Sequence, residues 1–274
     1  MKFDKSKIVT PDIGIDYPEN PEEHLVFKPH IHELTLDENY PYIDKSFGGR
    51  FMSNLMYLGI VCLCFWLNPL LYGLKICGRK NFTKNKKLFK NGAITVSNHV
   101  YRWDFLAVLQ AIRFKRPYFP AWAENLKTND RGFIRKARGI PIPEGSYHAT
   151  GKFNAAFDEV HEKKGWIHVY PESCRWDYYQ YIRPFRKGAF NFAYKYQLPV
   201  IPMAFSYRKP TGLSKLFLKD KPAITLNVGE PIMPDLTLSR KESITKLRDE
   251  CHAKVLELAG LSPEENKWTA GGND

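Results

Sequence analysis

The chain has 274 residues, 43% of them apolar and 14% aromatic, with 41 Lys and Arg against 29 Asp and Glu for a formal net charge of +12. That length holds one α/β domain with a full core or two small ones, and that composition excludes a wholly disordered polymer. Charge is uneven: residues 1–45 hold ten acidic and five basic side chains, a net of −5, so the rest carries +17. A basic body favours polyanions (nucleic acid, an anionic membrane surface, phosphorylated substrates) without choosing among them.

Residues 1–50 are rich in Pro, Asp, Glu and Tyr and show no sustained periodicity, which predicts an irregular N-terminal extension. The opening MKFDKSKIVTPDIG has no apolar signal core, so secretion is not expected. The five cysteines, Cys62, Cys64, Cys77, Cys174 and Cys251, have no metal-ligand spacing, and an odd count without a signal peptide fits reduced thiols facing the cytoplasm.

Phe51 through Leu74 contains no charge. As one helix it would reach about 36 Å, longer than the roughly 30 Å bilayer core, but Asn68-Pro69 is expected to interrupt it. A kinked span and a helix–turn–helix dipping into one leaflet both fit, and a buried core helix is the soluble alternative. Residues 51–78 thus form an apolar membrane-associated segment. Lys75, Arg79, Lys80, Lys84, Lys86, Lys87 and Lys90 follow with no acidic residue among them, a composition suited to anionic headgroups on the cytoplasmic side or to a solvated linker.

Beyond the extension and the apolar segment, residues 79–274 read as one domain. AITVS (93–97) reads as a buried strand and DFLAVLQAIRF (104–114) as a helix. YFPAWA and GIPIP are expected strands, separated by the short basic helix RGFIRKAR. The amphipathic helix GKFNAAFDEVHEKKG leads to the strand WIHVY; then come the helix KGAFNFAYKYQ and the strands PVIPMAF and AITLNVG. Ser239 and Glu242 form a capping box that opens a last helix. This alternation predicts an α/β fold, a single domain with a largely parallel mixed sheet flanked by helices.

Two turns at strand carboxyl ends, where open α/β sheets collect ligands, carry chemistry. In SNHVYRWDF, His99 and Asp104 stand five positions apart. A neutral imidazole takes a proton from an attacking hydroxyl, and a carboxylate on its other nitrogen fixes the tautomer. Asp104 reads equally as a charge favourable at a helix N-terminus. In VYPESCRWD, Glu172 and Arg175 flank the small turn Ser173-Cys174, and a guanidinium there suits phosphate. A structural Glu–Arg pair is the plainer reading, and nothing nearby clearly activates Cys174 as a nucleophile.

Together these blocks resemble the glycerolipid acyltransferase family, the 1-acylglycerol-3-phosphate acyltransferases. The N-H-x4-D hallmark is Asn98, His99 and Asp104; the Phe-Pro-Glu-Gly-Thr-Arg block appears as Tyr170-Pro171-Glu172-Ser173-Cys174-Arg175. The intermediate strand block is matched in part by Gly139-Ile140-Pro141-Ile142. Phe-x-Lys-Gly is Phe185-Arg186-Lys187-Gly188, and the following strand is Leu198-Pro199-Val200-Ile201-Pro202. The departures are Ser173 and Cys174 for Gly and Thr, and Pro143-Glu144 where an arginine is usual, with Arg138 or Arg135 the possible substitutes.

The resemblance implies acyl transfer from acyl-CoA or acyl-carrier protein to a lysophospholipid hydroxyl, with no metal or bound cofactor required. His99 would be the general base, Asp104 its partner, and Glu172, Arg175, Lys187 and Arg138 the substrate-binding set. It also implies membrane lipids rather than nucleic acid as partners, and a membrane-associated protein with its catalytic domain facing the cytoplasm.

Overall fold

The computed structural model describes residues 4–272. In chain order its elements are α1 (Phe47–Leu71), β1 (Lys75–Cys77), α2 (Lys80–Lys84), β2 (Ala93–Ser97), α3 (Asp104–Ala111), β3 (Phe119–Ala121), α4 (Ala123–Leu126), α5 (Arg131–Lys136), β4 (Gly139–Pro141), α6 (Tyr147–Glu162), β5 (Trp166–Val169), α7 (Gly188–Tyr196), β6 (Val200–Arg208), α8 (Ser214–Leu218), β7 (Ala223–Val228) and α9 (Arg240–Ala259). Five strands form one sheet in the order β1-β7-β6-β2-β5. All its pairings are parallel except β6 with β7, so the sheet is mixed and largely parallel, as expected.

Alternation along the strands builds two cores. Ile94 and Val96 of β2, with Ile167, Val169 and Val200, meet α6, α7 and α9 on one face. Ala93, Ile201, Met203 and Phe205 turn to α3 and Leu74 on the other. Both faces are covered, which is why these strands read as near-continuous apolar runs rather than a polar–apolar alternation. The capping box of α9 forms between Ser239 and Glu242. The segments 118–123 and 139–143 do not join the main sheet. β3 and β4 pair with each other as a separate parallel ribbon, tied to the sheet by a bridge from Tyr118 to Ile167.

Two expectations are revised. Asn68-Pro69 does not interrupt the apolar segment: α1 runs unbroken from Phe47 to Leu71 with Pro69 inside its last turn. There the ring removes one donor near the helix end, while the Asn68 carbonyl accepts from both Tyr72 and Leu74 N–H groups at 3.1 Å. The helix begins four residues earlier than the uncharged run because Ser46 caps it, accepting from the Gly49 N–H.

The N-terminal extension is irregular, as its composition predicts, yet it is bound to the body along its length. Val9 N–H donates to the Tyr207 carbonyl at 2.9 Å, Tyr17 Oη to the Asp177 carbonyl at 2.7 Å, and Ile31 and His32 N–H groups to the Lys127 carbonyl at 2.8 and 3.0 Å. Tyr42 is buried in the core. The extension is a strap, and its middle borders the site described next.

Candidate active site

Strand register creates the site. Val96 of β2 pairs with Val169 of β5, so three residues beyond each, His99 and Glu172 come side by side at the carboxyl ends. The His99 N–H donates to Glu172 Oε2 at 3.0 Å. His99 then folds back on α3, where Nδ1 lies 2.6 Å from Asp104 Oδ2. The same oxygen accepts the Val100 N–H at 2.9 Å and the Tyr101 N–H at 3.4 Å. Tyr170 Oη donates to the other oxygen at 2.6 Å, and its ring stacks on the imidazole with centroids 3.9 Å apart.

Asp104 is 1% exposed and His99 22%. Burial pushes the Asp104 carboxyl pKa up, but it is outweighed by the charge and hydrogen bond of His99, the Tyr170 hydroxyl and the Val100 N–H, so the group is held below its ordinary value and ionised. Burial, reinforced by the Asp104 charge, raises the Tyr170 pKa well above normal, which keeps that hydroxyl a donor. Nδ1 is therefore the protonated imidazole nitrogen, and Nε2 is left as the acceptor. Asp104 thus both opens α3 and hydrogen-bonds His99 Nδ1.

Beneath this stack lies His168, fully buried, with Nδ1 2.9 Å from Thr95 Oγ1 and Nε2 without a hydrogen-bond partner. Burial lowers its pKa to about 3, and that of His252 to about 4. Between those values and the ordinary 6.5 the unfolded chain binds protons that the native chain does not. Their stabilisation is thus complete above pH 6.5 and declines as pH falls. Urea unfolding should show stability dropping from pH 6.5 to 4, and His168→Gln should make that slope shallower; an unchanged slope would contradict the assignment.

His99 lines a cavity of about 1290 Å³. One part of its wall is apolar, including Phe105, Phe119, Trp122, Phe133, Ile142 and Phe192, and the rest carries Lys28, Arg102, Arg175, Arg186, Lys195 and Arg240. Asp104 and Asp130 are the acidic side chains on this wall among the described residues. Such a lining suits a molecule with a long apolar part and an anionic part. The strap contributes His24, Val26 and Lys28. His24 stacks on Trp122 at 3.7 Å, and Lys28 pairs with Asp130, which also holds Arg102 at 3.0 Å.

Of the residues singled out in the sequence, His99, Asp104 and Arg175 come together here. Arg175 lines the cavity with Nε 2.7 Å from Asp177 Oδ1, an ion pair without hydrogen-bond alignment. Glu172 does not face a ligand. It is buried, accepts the His99 N–H, and pairs with Arg183, receiving the Arg183 N–H at 2.8 Å on Oε1 and Nη2 at 3.2 Å on Oε2. The structural Glu–Arg pair therefore exists, with Arg183 in place of Arg175. Lys187 precedes α7, exposed and outside the cavity wall, although Gly188 and Ala189 after it line the cavity. Arg138 lies away from the cavity, donating to the Arg116 carbonyl at 2.9 Å with its guanidinium over the Tyr118 ring. Arg135 donates to the Tyr42 carbonyl at 2.7 Å and holds the strap. Five further cations of the wall carry no motif signal of their own: Arg102 and Arg186, each inside a quoted block, and Lys28, Lys195 and Arg240.

The Ser173-Cys174 turn explains its departures. Ser173 adopts φ 71°, the left-handed region that a glycine enters freely. Ser173→Gly should raise unfolding stability by about 1 kcal/mol, since a Cβ there costs roughly 1–2 kcal/mol, visible as a few degrees in Tm. Cys174 is buried, with Sγ 2.6 Å from Arg183 Nη1 and 3.3 Å from the Glu23 carbonyl. Burial pushes its pKa up despite Arg183, which keeps it a thiol rather than a thiolate nucleophile. No three His, Cys, Asp or Glu side chains among the described residues cluster to hold a metal ion.

Residues 74–206 match the family described as Acyltransferase, a span that includes both site turns, β2, β5, α7 and most of β6. The fold is similar to the crystal structure of the 1-acyl-sn-glycerophosphate (LPA) acyltransferase PlsC from Thermotoga maritima, with a TM-score of 0.50 and 20% identity over 78% of this chain and 83% of that one. Over residues 74–206, just under half of the chain, the sequence is thus similar to the acyltransferase family.

Proposed function

We propose that the chain moves a fatty acyl group from a thioester, acyl-CoA or acyl-carrier protein, to the free hydroxyl of a lysophospholipid, with 1-acyl-sn-glycerol-3-phosphate, giving phosphatidic acid, as the leading acceptor. The observation that supports this most is the His99–Asp104 pair, 2.6 Å apart, on the wall of a cavity that is apolar on one part and cationic on another. The structural likeness to PlsC points to the same acceptor.

His99 Nε2 takes the proton of the acceptor hydroxyl as its oxygen attacks the thioester carbonyl. Asp104 stabilises the imidazolium that forms. Collapse of the tetrahedral intermediate makes the ester C–O bond and breaks C–S, and the proton on Nε2 passes to the leaving thiolate. Arg175, with Arg186 and Arg102 near it on the wall, would hold the acceptor phosphate, while the apolar wall takes an acyl chain. Glu172 positions the His99 backbone rather than binding phosphate. Tyr170 supports Asp104: Tyr170→Phe strands one carboxylate oxygen and should cost about tenfold in kcat, the order of one hydrogen bond to a charged group.

Helix α1 would lie in one leaflet rather than cross the bilayer. It is long and apolar enough to cross. Yet Ser53 Oγ donates to the Lys136 carbonyl at 2.6 Å, Tyr57 Oη to the Phe114 carbonyl, and Asn68 Nδ2 to Gln110 Oε1 at 3.2 Å. These contacts hold the helix against the domain over some 15 residues, about 22 Å. Spanning would draw Arg116 and Lys136 into hydrocarbon, at several kcal/mol each. Its outer face, with Phe51, Leu55, Leu58, Phe65 and Trp66 exposed, is free to enter a leaflet. The basic residues after it support a catalytic domain on the cytoplasmic side.

Purified protein in detergent with labelled acyl-CoA or acyl-carrier protein and a panel of lyso-acceptors tests the reading. Acylation of 1-acylglycerol-3-phosphate above all others, abolished in His99→Ala, is the expected result. Preference for a lysolipid with another headgroup would keep the chemistry and reassign the acceptor; no acylation of any would leave a basic membrane-binding protein.

A further inference from the structure

We propose that the connection between β6 and β7, residues 209–222, is a second lipid-contact element that seats the site's end of the sheet on an anionic bilayer. Topology puts it there. β6 is parallel to β2, and β2 to β5, so the chain leaves β6 at the same end of the sheet as the turns bearing His99 and Glu172. Within the connection, Ser214 and Leu218 of α8 are buried and attach it to the body, while Leu213, Leu216 and Phe217 are 69%, 74% and 51% exposed. Lys209, Lys215, Lys219 and Lys221 are exposed around them, with one acidic residue, Asp220.

Large apolar side chains interleaved with lysines on a short surface helix match the chemistry of a bilayer interface: acyl chains for the first, phosphates for the second. The element is also continuous with the apolar face of α1. A Cβ built on Gly73, just past the end of that helix, would stand 3.1 Å from Ser214 Oγ and 2.8 Å from the Ala223 side chain, so α8 abuts the α1 terminus with no gap. Tyr72 meets Tyr101, two residues beyond His99, with ring centroids 4.9 Å apart. The cations from Lys80 to Lys90, by contrast, follow β1. That strand is parallel to β7, which opposes β6, so they stand at the other end of the sheet. The headgroup role that sequence order assigns to them passes, at the site's end, to the lysines around α8. This inference rests on the reading of α1 as a leaflet-bound helix.

Three full-length variants decide it by co-sedimentation with vesicles of phosphatidylcholine alone or with 30 parts per hundred phosphatidylglycerol (about the anionic content that gives a strong surface potential). Leu213→Ser/Leu216→Ser/Phe217→Ser should bind both vesicle types at least tenfold more weakly. Lys209→Gln/Lys215→Gln/Lys219→Gln/Lys221→Gln changes exposed side chains, gives up only the 6.0 Å contact of Lys221 Nζ with the Tyr178 ring, and should fold regardless. It should lose tenfold or more on anionic vesicles only, with the difference fading at high salt. Leu58→Ser/Phe65→Ser/Trp66→Ser reports on α1. Both α8 variants should keep normal turnover of a short-chain, water-soluble acceptor. Wild-type vesicle binding by both α8 variants overturns the proposal, and the α1 variant then shows whether the helix reading survives alone. Loss of self-association in the apolar α8 variant with vesicle binding intact would also overturn it, by assigning the face to a second copy of the chain.

Discussion

His99→Ala should lower acyl transfer by about 10²–10⁴-fold, the usual loss when a general base is removed, with the melting temperature nearly unchanged. Alanine retains the backbone N–H that donates to Glu172, and Asp104 keeps the Val100, Tyr101 and Tyr170 donors when the imidazole is removed. Asp104→Asn should be comparably severe for a different reason. Nδ1, the Val100 N–H and the Tyr101 N–H share Oδ2 while Tyr170 uses Oδ1, so an amide either keeps its oxygen on the first three and turns NH2 to the Tyr170 hydroxyl, or accepts from Tyr170 and presents NH2 to Nδ1, where the imidazole proton cannot stay. Asp104→Asn should also cost stability, because a fully buried carboxylate with four donors around it is replaced by a group that cannot receive all of them. Initial rates on 1-acylglycerol-3-phosphate with calorimetry on the same preparations separate the effects. Activity of His99→Ala within a few-fold of wild type would exclude the base mechanism.

The different fates of the two substitutions show which parts of the site are readable from sequence. His99 and Asp104 are close in the chain, and a turn entering a helix brings residues five apart together by local geometry alone. Strands such as AITVS and WIHVY announce themselves because both sheet faces are buried, and their register then aligns the two turns. Glu172 is a different case. Its partner, Arg183, lies eleven residues on, past a loop without periodicity, and nothing in the spacing distinguishes it from Arg175 three residues away. Only the folded loop shows that Arg183 turns inward over Trp176, 4.5 Å from the ring centroid, while Arg175 faces the cavity.

Composition likewise identified residues 1–50 as irregular but not as bound. The strap is held in part by its backbone carbonyls at Pro21 and Glu23, which any sequence possesses, and its side-chain anchors Tyr17, His24, Lys28 and Tyr42 are too scattered to form a period. Pro69 misleads for the opposite reason: a proline is a strong local signal, yet three residues from a helix end it costs little. Arg138 and Lys187 lie close to motifs in sequence, yet neither is on the cavity wall: Arg138 donates to the Arg116 carbonyl and Lys187 is exposed.

Arg183→Leu should be the most destabilising single change in the site region, by about 3–5 kcal/mol, the range for breaking a buried ion pair by removing one partner. Arg183 links three parts of the molecule. It pairs with Glu172, donates to the Cys174 carbonyl, and reaches the strap through the Pro21 carbonyl at 2.9 Å. Leucine leaves Glu172 charged and buried, still holding the His99 N–H but no longer neutralised, and leaves the Pro21 and Cys174 carbonyls without this donor. The strap should loosen near His24, so limited proteolysis within residues 19–28 should accelerate along with the fall in urea midpoint. Adding Glu172→Gln to Arg183→Leu should restore part of the loss, because an uncharged amide tolerates burial where a lone carboxylate does not. In the wild-type background Glu172→Gln should itself destabilise, leaving the guanidinium unpaired. That sign reversal between backgrounds is the signature of direct coupling. Equal destabilisation by Glu172→Gln in both backgrounds would mean that the two side chains act independently and that Arg183 serves the strap alone.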